Sequence, residues 1–81
     1  MTIRVKLFAI LKEKIGAEEM TFECPPNASC ENVAEYFKSE FPGLRLVLDR
    51  SMFVVNGQDA QHATTLSGGD ELAFLPPLSG G

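Results

Sequence analysis

The sequence predicts an α+β domain, with one main helix packed across a mixed sheet of four to five strands. Two observations carry this reading. Several segments alternate apolar and polar residues with period two, as half-buried strands do. One segment instead repeats its apolar residues at i, i+4 and i+8, as a helix with one buried face does. In chain order the elements run strand, strand, helix, strand, short edge strand, strand. With 81 residues the chain is one small domain. A domain of this size buries about 60–65% of its unfolded surface, so the core is thin.

The first strand is "TIRVKLF", with Ile3, Val5 and Leu7 on one face and Arg4 and Lys6 on the other. Phe8 breaks the alternation by falling on the polar face. "ILKEKIG" reads as a turn or a single helical turn stopped by Gly16. "EEMTFEC" alternates again, with Met20, Phe22 and Cys24 against Thr21 and Glu23, and the short separation suggests a hairpin with the first strand. Pro25 and Pro26 end it, since proline cannot donate to a ladder.

The helix is "SCENVAEYFKSEF". Val33, Phe37 and Phe41 form its stripe, flanked by Cys30 and Ala34. Ser29 suits the N-cap, Glu31 lies near the positive end of the helix dipole, and Pro42–Gly43 ends the element. "LRLVLDRS" is ambiguous by periodicity. "MFVVNGQ" is a strand entering an Asn56–Gly57 hairpin turn, and "DAQHATTL" is a loop or short edge strand. The internal "LSGG" at Leu66–Gly69 is a turn into the last strand, "ELAFL". There Leu72 and Phe74 point inward and Glu71, Ala73 and Leu75 outward. Phe8 and Leu75 are thus large apolar residues on faces that should be wet, which suggests a partner patch.

The bulk numbers restrict function. A net charge of −4 without a Lys/Arg cluster argues against nucleic acid and anionic membrane, and favours a basic protein partner. No apolar run reaches the ~20 residues needed to span a bilayer, and "MTIRVKLFAI" lacks a signal-peptide organisation, so a cytoplasmic location is expected. Cys24 and Cys30 match neither a disulfide scaffold nor a metal pair, and His62 is the single histidine; reduced structural thiols and no metal site are expected. No catalytic triad, phosphate loop or carboxylate-and-pocket motif is visible.

What remains is the tail. The division is a folded domain over 1–75 and a flexible tail over 76–81. Pro76 and Pro77 stiffen the exit, Leu78 offers one apolar anchor, and Ser79, Gly80 and Gly81 carry almost no side chain. Five extended residues reach roughly 17 Å, which suits threading into a narrow tunnel. A terminal carboxylate on Gly81 becomes an acyl donor once adenylated. A thiol or persulfide can then convert it to a thioester or thiocarboxylate, and glycine keeps both steps uncrowded.

This element order, ending in Phe74-Leu75-Pro76-Pro77-Leu78-Ser79-Gly80-Gly81, resembles the β-grasp (ubiquitin-like) sulfur-carrier family that includes the small subunits of molybdopterin synthase. The resemblance covers the whole chain and is most specific at the Pro-Pro before Gly-Gly. It implies that Gly81 is adenylated by an ATP-dependent enzyme and converted to a thiocarboxylate. A cysteine desulfurase or rhodanese type of enzyme would supply the sulfur. The tail, Pro76 to Gly80, would insert into a large subunit that holds the catalytic residues, in a heterotetramer. The product would be the dithiolene of molybdopterin, made from cyclic pyranopterin monophosphate. The chain itself would bind no cofactor and act as the non-catalytic sulfur-donating subunit. Phe8 and Leu75 fall where the family places interface residues, although the family commonly has an aromatic where Leu75 stands. The same features also fit a carrier for thiamine thiazole, cysteine synthesis or tRNA thiolation, a ubiquitin-like modifier of lysines, or an interaction module with an inert tail.

Overall fold

The computed structural model describes residues 1–77. Five strands form one sheet: β1 (Thr2–Leu7), β2 (Glu19–Glu23), β3 (Met52–Val55), β4 (Gln58–Ala60) and β5 (Glu71–Leu75). Their order across the sheet is β2-β1-β5-β3-β4. β1 and β5 are parallel, and the other pairs are antiparallel. Helix α2 (Cys30–Glu40) packs on one face. The expected mixed sheet with one main helix is thus present, and it is the β-grasp arrangement.

The alternating patterns place the core as read. Ile3, Val5 and Leu7 of β1 are buried, as are Leu72 and Phe74 of β5 and Phe53 of β3. They meet Val33, Ala34 and Phe37 of α2. Phe37 anchors this layer, with ring centroids 5.6 Å from Phe74 and 5.7 Å from Phe22. Ser29 caps α2 as expected. Its hydroxyl accepts from the Asn32 N–H at 3.1 Å and Asn32 Oδ1 accepts from the Ser29 N–H at 2.9 Å, a reciprocal capping box. Asn56 (φ 50°) and Gly57 (φ 82°) are both left-handed, the geometry that a two-residue hairpin turn requires.

Three readings need correction or completion. "ILKEKI" is not a turn or one helical turn but part of a seven-residue helix, α1 (Ala9–Ile15), which bridges β1 and β2. Its start carries no side-chain cap, and Ala9 has φ 51°, so the usual start signal is missing. Burial of Leu11 holds it to the core. The ambiguous "LRLVLD" becomes helix α3 (Arg45–Asp49), preceded by a 3-10 turn at Pro42–Leu44. Ala73, expected on a wet outer face, is buried. It does lie on that face, but β5 is the central strand, and a methyl between Lys6 on β1 and Val54 on β3 is overshadowed by its neighbours.

Lys38 couples the helices. It is buried at its stem, and its ammonium reaches Glu35 at 2.9 Å and also Asp49 of α3. The hydrogen bond to Asp49, then that to Glu35, holds the ammonium above its ordinary pKa. The same hydrogen bond holds the Asp49 carboxyl below its usual value. Among the described residues no helix is long and apolar enough to cross a membrane.

Candidate functional site

The two outward apolar residues meet at one end of the sheet. Leu7 is opposite Phe74 in the β1–β5 register, so Phe8 lies beside Leu75 one step on. Met52 is directly opposite Leu75 on the other side of β5. The three form a row across three neighbouring chain segments. Phe8 is 42% exposed and Met52 57%, while Leu75 between them is half-buried. The row floors an open groove of about 890 Å³, flanked by Glu13 and Arg50 and ending at Pro76 and Pro77.

The local sequence explains this position. Phe8 is the residue at which β1 hands over to α1, with extended backbone (φ −128°, ψ 157°) followed by left-handed Ala9. Alternation sends it to the face opposite Leu7. Leu75 ends β5, immediately before two prolines that cannot extend the ladder. The other end of the same face is charged. Glu71 there pairs with Arg4 at 3.4 Å and with Lys6 at 3.8 Å. The apolar row is therefore confined to the edge from which the tail leaves.

Of the expected site residues, Phe8, Leu75, Pro76 and Pro77 are brought together. Leu78, Ser79, Gly80 and Gly81 lie outside the described residues. Met52 and Arg50 escaped sequence reading. Met52 alternates with buried Phe53, which was a usable signal, but placing it beside Leu75 needs the β3–β5 register.

The two thiols are accounted for by packing, while the His62 side chain is exposed. Cys24 and Cys30 are free and buried, and burial is the main cause that pushes both thiols above their ordinary pKa, away from the nucleophilic thiolate. His62 stacks edge-on against Phe53 at 4.9 Å. No cluster of three potential metal ligands occurs among the described residues. The assembled surface can bind a partner and aim a tail, but its side chains offer no nucleophile–base pair.

Comparison with known proteins decides the family. The ThiS family model matches residues 5–81. The chain belongs to the ThiS family. A relative of this ThiS-family chain, the molybdopterin synthase sulfur carrier subunit of Chlamydomonas reinhardtii, is 36% identical, with all of both chains covered. Among solved structures, SAMP1 from Haloferax volcanii superposes with a TM-score of 0.84 at 28% identity, again over all of both chains. A chain of the complex of subunits 1 and 2 of molybdopterin-converting factor from Helicobacter pylori gives a TM-score of 0.69 at 23% identity over all of both chains, a likeness of fold. The ubiquitin-like β-grasp fold of this ThiS-family chain is thereby shown.

Proposed function

We propose that the chain is the sulfur carrier subunit of a molybdopterin synthase, with Gly81 as the group that bears the sulfur. The observation that carries the reading is the Phe8–Leu75–Met52 row at the exit of the Pro76–Pro77 segment, in a chain whose family match runs through Gly81. Full-length likeness to a relative of that name supports it.

In the mechanism, a Gly81 carboxylate attacks the α-phosphate of ATP on a separate adenylating enzyme and releases pyrophosphate. A persulfide from the sulfur donor displaces AMP from the mixed anhydride, forming an acyl disulfide. Thiol cleavage of the S–S bond leaves the thiocarboxylate. The apolar row docks the charged carrier on the large subunit, and the tail passes Pro76 and Pro77 into that subunit's active site. There the sulfur enters the dithiolene of molybdopterin, from cyclic pyranopterin monophosphate, with two carriers serving one heterotetramer. The catalytic residues belong to the large subunit, and the chain works in the cytoplasm. Lack of side-chain bulk at Gly80 and Gly81 lets the backbone approach both enzymes.

Deletion of Gly81 tests this. Reconstituted synthase activity is expected to vanish while the melting temperature stays nearly unchanged. Retained activity refutes the assignment of Gly81. A second reading, a protein modifier, is favoured by the likeness to SAMP1, which belongs to the small archaeal modifier proteins. It predicts isopeptide conjugates to lysines in place of a thiocarboxylate donor. Capture of the partners of the chain with an unblocked C-terminus separates the two.

A further inference from the structure

We propose that the open edge of β2 is a second docking surface, separate from the tail end, that accepts an extended basic segment of another protein as a sixth strand. The inference does not depend on the sulfur-carrier reading.

Among the described residues β2 is the outermost strand on its side of the sheet. At the ends of the β1–β2 ladder, the Leu7 N–H donates to the Glu18 carbonyl and the Cys24 N–H to the Met1 carbonyl, each at 2.9 Å. Bonded pairs alternate along an antiparallel ladder, so Ile3–Phe22 and Val5–Met20 are the bonded pairs between them. The N–H and C=O groups of Glu19, Thr21 and Glu23 therefore point away from β1, toward the open side. An added strand would find its hydrogen-bonding partners there.

The side chains say which strand fits. Met20 and Phe22 face α2, where the Phe22 ring lies 4.7 Å from that of Tyr36, itself 47% exposed. Two depressions flank this pair. One, of about 400 Å³, is bounded by Met20, Glu40 and Phe41, and the other, of about 200 Å³, by Cys24, Asn32 and Val33. They border successive inward positions of β2, so residues i and i+2 of an added strand would fill them. The alternate residues of that strand would lie on the outer face beside Glu19 and Glu23.

Charge selects the occupant. A second copy paired antiparallel about Thr21 would set Glu19 against Glu23 twice, and like charges directly opposite each other destabilise a sheet. A strand alternating Lys or Arg with Val or Ile fills the depressions and adds a cation on the open side of both carboxylates. Of these, Glu19 pairs with Arg4 of β1 at 3.9 Å, and Glu23 accepts from the Thr2 hydroxyl. The chain's net charge of −4 adds to its attraction.

The test is amide chemical-shift mapping on the nitrogen-15-labelled full chain, titrated with a blocked peptide Lys-Val-Lys-Ile-Lys and with its Glu-Val-Glu-Ile-Glu counterpart. The basic peptide is expected to give saturable shifts at Glu19, Thr21, Glu23 and Tyr36 that weaken with salt. Thr21→Pro removes an outward donor and leaves the β1 ladder intact, so it should weaken binding about fivefold or more, as loss of a hydrogen bond does. The double variant Glu19→Lys, Glu23→Lys should reverse the preference between peptides, and serves equally if Thr21→Pro does not fold. No saturable shift at β2, equal binding of the acidic peptide, shifts confined to the Phe8–Leu75 end, or β2 shifts that follow protein concentration without peptide would each overturn the proposal.

Discussion

Replacing Phe8 by alanine tests docking, with the cost to folding measured beside it. The residue is 42% exposed and lines the groove. A phenylalanine presents roughly 200 Å² when fully exposed, so about 80 Å² remains for a partner to cover. At about 25 cal/mol per Å², that area is worth about 2 kcal/mol of binding. Phe8→Ala should thus raise the Kd for the large synthase subunit roughly 30-fold. By the same area arithmetic the roughly 120 Å² already covered in the fold costs the folded state about 3 kcal/mol, which a domain of ordinary stability, about 5–15 kcal/mol, survives because the inward core rows of β1 and β5 are untouched. Titration calorimetry with the purified large subunit measures the first quantity, and thermal melting the second. A Kd within twofold of the parent value, with the variant folded, would refute the claim that the row is the docking surface.

Three further outcomes follow from the fold. Ser29→Ala breaks the capping box of α2 and should cost about 1 kcal/mol, read as a melting temperature lower by roughly 4–8 °C. In the Lys38–Asp49 contact, the lowered Asp49 pKa contributes stability above the unfolded carboxylate value of 3.8 that is lost as pH falls through the folded value. The raised Lys38 pKa contributes stability below 10.5 that is lost as pH rises through the folded value. The stability gap between the parent and Asp49→Asn should hence be flat near neutrality and close in acid; a gap that persists in strong acid contradicts the clamp. Cys24 and Cys30 should react slowly with a thiol reagent in the native state and quickly in denaturant, and fast native labelling would show that burial does not protect them.

The sheet's two faces were legible in the sequence because alternation has period two: one residue out of phase, as at Phe8 or Leu75, announces an exposed apolar side chain. The long helix was legible because Ser29 and Pro42 bracket a full stripe. The short helices were not. α1 begins at a left-handed alanine without a cap, and α3 has only five residues, too few for periodicity to distinguish helix from strand. The burial of Ala73 is not legible in the sequence, because exposure depends on the size of cross-strand neighbours, which register supplies. The groove is only partly legible for the same reason. Phe8 and Leu75 declare themselves singly, but Met52 and Arg50 join them only through the pairing of β3 with β5 and the short helix before it.

The central claim is that Gly81 carries sulfur. Intact mass of the chain after incubation with ATP, the adenylating enzyme and a persulfide donor tests it most directly. The account predicts a mass increase equal to one exchange of oxygen for sulfur, localised to the C-terminal peptide and absent from the Gly81 deletion. An unmodified carboxylate under conditions that load a known carrier of this family would contradict it.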